Sequence, residues 1–402
     1  VARFDGRVIF VRLALPGERV IVKITEVRRG SFCRGEAVRV LRADPRRVDA
    51  PCGHFRPEGC GGCDFQHAEP ELQRELKSFV IAEQLRRLAG VERDVTVEPL
   101  PGDGFGWRTR VRWALDDAGR IGPRRVRSHR VEGVNAAAPC LIAVPGLTEL
   151  AGSIDIPTGV RKAVTSAATA TAAPDGRTPR ARRSRSTAGG LPEVTLTAAG
   201  DGTLTAVWTG SAAPTVTEQA AGREFSVAAD GFWQVHLAAA ETLSQAVGDA
   251  LDGIELAGGR AWDLYGGVGL FAEILCRAVG ANGSVVLVET DPAACALAET
   301  NLARHPQAAV RQGRVDAVIG DIVGAVDAVV LDPPRTGAGQ AMCSEISARG
   351  PAVIVYVACD PAALGRDTAA LASSGYRLDT LRAFDAFPQT HHVECVARFV
   401  PA

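Results

Sequence analysis

Residues 7–42 alternate apolar and polar positions in short runs, as in GRVIFVRLALPGERVIVKITEVRRGSFCRGEAVRVL. A period of two marks strands with one covered face. Breaks at Pro16-Gly17 and Gly30 supply turns, so the stretch predicts a small antiparallel sheet or barrel. From Pro70 to Leu88 the period changes. Leu72, Leu76, Phe79, Leu85 and Leu88 recur at helical spacing, with Pro70 suited to a first turn and Gly90 to a C-terminal cap. The string VTSAATATAAPDGRTPRARRSRSTAGG, Val164 to Gly190, has no hydrophobic period and predicts a flexible insertion that joins no core. EVTLTAAGDGTLTAVW then predicts two strands around Gly200-Asp201-Gly202. Beyond Asp230, the apolar runs RAWDLY, SVVLVE, DAVVLD and AVIVYVA alternate with helical stretches, as a parallel sheet requires.

A chain of 402 residues exceeds one ordinary core. Three regions are expected: a small β-barrel over 1–50, a central β-rich region over 51–229 and an α/β domain over 230–402. The insertion lies near 160–190, and the helix at 70–90 is expected to pack on the last region. With 46% hydrophobic and 23% charged residues the composition is that of a globular protein. No apolar run is long enough to span a bilayer and no secretory pattern opens the chain, so a cytoplasmic protein is expected. No coiled-coil pattern appears, and a monomer is expected.

Net charge is only −1, yet residues 1–50 hold 12 Lys/Arg against 6 Asp/Glu. A second basic stretch runs from Arg108 to Arg130. Local excess of this kind suits a polyanion, or is simply a solvated surface. In GWRTRVRW, alternation predicts Arg108, Arg110 and Arg112 on one face, with Trp107 and Trp113 able to stack on bases. Arg124, Arg125, Arg127 and His129 continue the basic surface, so Arg108, Arg110, Arg127 and His129 are the candidate RNA contacts.

WDLYGGVGLF follows a strand and leads into a helix. Gly266, Gly267 and Gly269 permit a tight turn close to a ligand. Asp263 suits the charged amino group of an amino-acid-like cofactor. Glu289, ending the next strand, suits ribose hydroxyls, and Asp316 falls where a third strand reaches an adenine ring. A dinucleotide would fit the same turn.

VVLDPPRTG puts Asp332 at a strand end, and VIVYVACDPAAL does the same for Cys359. Ligands of open α/β sheets bind outside these carboxyl ends, where a thiolate can reach a substrate. FPQTHHVE brings Glu394 to the last strand. Singly, such a cysteine is more often core filler and such a glutamate a surface charge; His391-His392 reads as loop chemistry, not a metal pair. Their joint presence in one domain is the informative observation.

FWQVH, DLYGGVGLF, VLDPPRTG, YVACDP and FPQTHHVE, in this order, resemble the signature motifs of the RNA 5-methyluridine (uracil-5-)methyltransferase family, which includes tRNA and 23S rRNA enzymes. The resemblance covers most of the chain apart from the insertion. It implies a Rossmann-like domain holding S-adenosyl-L-methionine through Gln234, Asp263, Tyr265, Gly267, Gly269, Glu289, Asp316 and Asp332. It also implies Cys359 as nucleophile, Glu394 as general base and Asp332 on the substrate base. The opening segment, VARFDGRVIFV through LPGERVIVKITEV, resembles the TRAM barrel of these enzymes, without its first strand. The expected reaction is methylation of carbon 5 of a uridine in 23S rRNA, ahead of tRNA. Its rivals are cytosine-5 methylation, exocyclic-amine methylation, which needs no thiol, and a non-catalytic RNA-binding role.

CGHFRPEGCGGC sets Cys52, Cys60 and Cys63 in a C-x7-C-x2-C spacing, with Cys140 a possible distant fourth ligand. Four thiolates suit iron–sulfur or structural zinc. By resemblance to some family members a [4Fe–4S] cluster is favoured, although their first gap is usually five residues. The methyl transfer itself needs no redox step.

Overall fold

The computed structural model describes residues 1–27, 32–161, 191–322 and 324–402; the low-complexity string from Val164 to Gly190 lies outside the described residues. Two units emerge. One comprises 1–69, 108–198 and 204–213, the other 70–107, 199–203 and 214–402. The stretch 51–229, expected as one central region, is therefore divided, with 70–107 and 214–229 belonging to the second unit. No helix among the described residues is long and apolar enough to cross a membrane.

In the first unit, the opening sheet has the strand order Ala2–Phe4, Arg7–Arg12, Phe32–Arg42, Arg19–Val27. Arg7–Arg12 pairs with Phe32–Arg42 in parallel, a departure from the all-antiparallel expectation, because Arg19–Val27 occupies the opposite edge. Register shifts at three places along the Arg19–Val27 pairing bend the ladder. Gly35 lies so close to the neighbouring strand that a Cβ there would meet the Lys23 carbonyl at 2.8 Å. A second, antiparallel sheet runs Ile121–Gly122, Arg110–Leu115, Glu193–Ala198, Leu204–Trp208, and contains the hairpin expected around residue 201. Its core joins Val111, Trp113, Leu115, Val194, Leu196 and Trp208 to Leu147 of the helix Leu147–Ser153.

The second unit is built on an eight-stranded sheet in the order Ala308–Gln312, Ser284–Glu289, Arg260–Leu264, Ala328–Leu331, Val353–Ala358, Glu394–Pro401, Tyr376–Asp385, Val97–Pro99. The first five strands are mutually parallel, and Glu394–Pro401 enters antiparallel to both its neighbours. The central strands Ala328–Leu331 and Val353–Ala358 are buried along their whole length, which is why they read as unbroken apolar runs. Strand order reverses between Arg260–Leu264 and Ala328–Leu331, and such a switch point opens a crevice at the carboxyl ends.

The helix Pro70–Ala89 ends as expected. Gly90, with φ of 67°, donates its N–H to Arg86 and Val91 donates to Leu85, closing the last turn. Its buried face differs from the expected Leu72, Leu76, Phe79, Leu85, Leu88 stripe. Phe79 and Leu88 are exposed, whereas Leu72, Gln73, Lys77, Ile81 and Leu85 are buried. The true ridge is 73, 77, 81, 85, spaced by four, and two of its members are polar. The helix packs on Pro361–Ser373, where Gly365 permits an approach that a Cβ would block at 2.9 Å from the Gln84 carbonyl.

Leu85→Ala should destabilise the protein by about 2–5 kcal/mol, while Phe79→Ala should change it by only about 0.5 kcal/mol. Urea unfolding of the two variants checks which face is inward.

Candidate active site

Three neighbouring strands bring the candidate side chains Asp332, Cys359 and Glu394 to one end of the second unit's sheet. Asp332 directly follows Ala328–Leu331, Cys359 follows Val353–Ala358, and Glu394 begins the antiparallel strand beside it. Ala358 is paired with Cys395, so one further step of the register sets Cys359 opposite Glu394. Cys359 is half-buried and Glu394 buried.

This grouping is electrostatically costly. Burial, and then the negative charge of Asp332, push the Glu394 carboxyl well above the ordinary carboxylate range; Arg335 opposes them. Asp332 is pushed by burial to about 7. The Cys359 thiol rises to about 11, through burial first and then Glu394 and Asp332, again opposed by Arg335. Arg335 was not singled out in the sequence, although it stands within the DPPR string. Its guanidinium lies 3.3 Å from Nε2 of His392.

The glycine turn follows Arg260–Leu264. Tyr265 adopts a left-handed φ of 64°, costly for a residue with a side chain. Gly266 has no room for a Cβ, which would meet the Leu287 side chain at 2.5 Å. Asp263 is wholly buried. One carboxylate oxygen accepts the Ala272 N–H at 2.8 Å, at the start of the helix Leu270–Val279, and the other has no hydrogen-bond partner. Burial pushes its carboxyl to about 7, with Asp332 and Glu289 adding to the rise. A buried, unsatisfied carboxylate oxygen beside a glycine turn suits an ammonium or sulfonium-bearing ligand.

Glu289 organises the same turn: Oε2 accepts the Gly267 N–H at 3.0 Å and Oε1 accepts the N–H of Asp291 at 2.8 Å. Gln234 is buried in the loop that precedes the helix Ala239–Leu251, flanked by the exposed Phe232 and Leu237. Asp316 lies in the first turn of the short helix Val315–Val318, exposed and held by Arg314 at 2.6 Å. Burial also pushes the Tyr265 phenol up to about 12.

The basic stretch of the first unit departs from expectation. Arg110 is buried and Arg112 exposed, so the arginines do not share an outward face. Trp113 lies in the sheet core, and Trp107 is buried against His236, ring centroids 5.8 Å apart. Neither indole is open to a base. Arg110 and Arg112 fall on the same face of the strand, and that face is covered at Arg110 and open at Arg112. Arg108 is half-buried and donates to the Arg110 carbonyl, while Arg127 and His129 are exposed. Arg124 and Arg125 are committed to Glu193 and Glu132.

Cys52, Cys60, Cys63 and Cys140 line one cavity of about 840 Å³, together with Arg108 and Arg127. All four are free thiols. The Gly62 N–H points at the Cys60 sulfur at 3.3 Å. Backbone N–H groups of Ala143 and Ile142 favour the thiolate of Cys140 against a larger effect of burial. Burial raises Cys60 to about 11 and Cys63 further, and their cysteine neighbours add to it. The expected cluster is corrected in one respect. Among the described residues no group of three or more His, Cys, Asp or Glu is arranged to hold a metal ion.

Residues 309–399 match the model of the tRNA (uracil-5-)-methyltransferase family, and residues 1–38 match the TRAM domain. A Streptomyces avermitilis protein described as an uncharacterized RNA methyltransferase is 42% identical, over 99% of this chain and 94% of its own. The 23S rRNA (uracil(1939)-C(5))-methyltransferase RlmD of Pseudomonas putida is 32% identical over 99% of this chain and 90% of its own. Among solved structures, the tRNA (uracil-54, C5)-methyltransferase of Pyrococcus abyssi, in complex with S-adenosyl-L-homocysteine, aligns with a TM-score of 0.67 at 21% identity, covering 98% of this chain and 95% of the other. At that identity the likeness establishes a common α/β methyltransferase fold.

Asp263 generates a pH prediction for the ligand-free protein. Its folded value, about 7, lies above the ordinary 3.8, so its protonated form is the stabilising one. That stability is complete below the unfolded value and is lost as pH rises through about 7. Asp263→Asn should therefore gain thermal stability relative to wild type as pH rises from about 4 to about 8. Melting temperatures across that range give the comparison, and a constant difference would refute the assignment.

Proposed function

The chain belongs to the RNA (uracil-5-)methyltransferase family, and from that premise we propose that it methylates carbon 5 of a uridine in 23S rRNA through a covalent adduct on Cys359. The observation carrying this reading is the antiparallel register that faces Cys359 with Glu394 beside Asp332. The preference for 23S rRNA over tRNA rests on the RlmD relatives, which align over nearly the whole chain at 32–33% identity.

S-adenosyl-L-methionine supplies an electrophilic methyl group on a positively charged sulfur. Asp263, with its unsatisfied oxygen, and the Tyr265–Gly269 turn are the residues that would hold it, with Glu289 fixing the turn and Gln234 and Asp332 near the reacting end. Asp316 is assigned to the adenosine side, where it would first have to leave Arg314.

Carbon 5 of uracil is a weak nucleophile. Addition of the Cys359 sulfur to carbon 6 breaks the ring double bond and moves its electrons onto carbon 5 and the adjoining carbonyl, so carbon 5 can take a methyl group. The thiol proton must first leave. The Asp332 carboxylate, with its raised proton affinity, is suited to receive it, which leaves Glu394 unprotonated for the later step, and Arg335 favours the thiolate. Glu394 then removes the carbon-5 proton, the carbon–sulfur bond breaks and the ring double bond is restored. A carboxylate with raised proton affinity is a better base for this step than a solvated one. Asp332 holds the uracil edge. The base must be unstacked to reach the thiol, and the exposed Arg127 and His129, with the half-buried Arg108, are proposed to contact the surrounding RNA.

Cys359→Ala should abolish 5-methyluridine formation in transcript 23S rRNA. Glu394→Gln should still form a denaturation-resistant protein–RNA adduct while slowing product release by about 10²–10⁴-fold. Nucleoside analysis and denaturing gels read both outcomes, and methylation by Cys359→Ala would end this mechanism.

The four cavity cysteines are proposed to hold a [4Fe–4S] cluster, with zinc as the rival occupant. Support comes from the donor chemistry: four undisulfided thiols on one cavity, with backbone N–H groups directed at two of the sulfurs. Protein purified without oxygen should carry iron and acid-labile sulfide in equal amounts, and Cys60→Ser should lower both. Zinc alone would decide for the rival.

A further inference from the structure

The helix Pro70–Ala89 turns two polar side chains inward, one turn apart, where its apolar stripe was expected to be. Lys77 is only 3% exposed. Its ammonium donates to the Asp385 carboxylate at 2.5 Å and to the Phe387 carbonyl at 3.1 Å. The Gln73 side chain donates to the Gln389 side-chain oxygen at 3.0 Å and accepts the Gln389 backbone N–H at 3.0 Å. Gln389 holds a left-handed φ of 68°, a conformation that needs such external support. Both anchors therefore fall on the loop that joins Tyr376–Asp385 to Glu394–Pro401.

That loop continues directly into the base. The Thr390 hydroxyl donates to the Phe387 carbonyl at 2.8 Å, and the His392 N–H donates to Thr390 at 3.2 Å. Phe387 sets its ring edge-on to His392 at 5.9 Å, and His392 meets Arg335. Two residues beyond His392 stands Glu394. An apolar pair at 73 and 77 would hold a helix on a sheet at no polar desolvation cost, and replacing buried ion pairs by apolar groups is often neutral or stabilising. What hydrogen bonds add is direction, which fixes a loop to the fraction of an ångström that proton abstraction demands.

We propose that Gln73 and Lys77 are positioning residues for the methyl-transfer reaction: through Asp385, Phe387 and Gln389 they hold the loop that aims Glu394 at the carbon-5 proton of the substrate. This rests on the proposed roles of Cys359 and Glu394.

The test uses the full chain with transcript RNA carrying 5-tritiated uridine and compares wild type, Gln73→Leu, Lys77→Met and Lys77→Arg. Methyl incorporation, tritium release, denaturation-resistant adduct, KM for RNA and melting temperature are measured for each. Gln73→Leu and Lys77→Met should lower kcat and tritium release together by about 10–100-fold, raise the standing amount of adduct and leave KM within about threefold. Lys77→Arg should recover most of the rate. Wild-type rates in folded variants would overturn the proposal, and so would a rate loss with no adduct accumulation. Failure of both variants to fold at any assay temperature would make the residues structural and equally overturn it. Cys359→Ala is run in parallel: methylation by that variant defeats the underlying mechanism, whereas its inactivity beside unaffected helix variants defeats this inference alone.

Discussion

The pairing of Glu394–Pro401 against Val353–Ala358 is the constraint on which the rest of the second unit turns. In an antiparallel ladder a slip of one residue sends every side chain to the other face of the sheet. Here slippage is blocked because Val353–Ala358 is buried throughout and Cys395, Ala397 and Phe399 fill one core from the same face of their strand. The same burial that fixes the register also desolvates the groups at its end. The placement and the raised proton affinity of Cys359 and Glu394 therefore have one physical origin.

Desolvation leaves an excess of acid at the sheet's edge. Asp263, Asp332 and Glu394 all have raised proton affinity, and at the Cys359 thiol Arg335 opposes the effect of the acids. Such an arrangement is destabilising until a positively charged ligand arrives, and a sulfonium is a ligand of that sign. The strained turn at Tyr265 belongs to the same account. Its conformation is held by neighbouring backbone and by Glu289, not by its own preference.

The first unit meets its charges differently. Glu132 gathers His54, Arg56 and Arg125, and Arg12 reaches the carbonyls of Cys60 and Cys63. Arg12, Arg56 and Arg125 are thus engaged in holding the cysteine loop and its surroundings in shape. Arg127 and His129 remain on the surface. A count of basic residues overstates the surface available to RNA, because several guanidiniums are already engaged.

Sequence alone settled what is local. Alternation and apolar runs located the strands, and a residue that follows a buried parallel strand has to emerge at its carboxyl end, so the placement of Asp332 and Cys359 at that end of the sheet was legible. Glycines whose turn admits no side chain were legible for the same reason. Tertiary structure decided which faces were covered. Arg110 was buried, Phe79 exposed and Asp316 held in an exposed ion pair, and the four cysteines came to line one cavity. Gln73 and Lys77 found partners more than three hundred residues away. Periodicity reports the face a segment would bury if its partner were uniformly apolar. Where the partner offers a carboxylate or a carbonyl, burial follows the hydrogen bond, and no window along the chain contains that information.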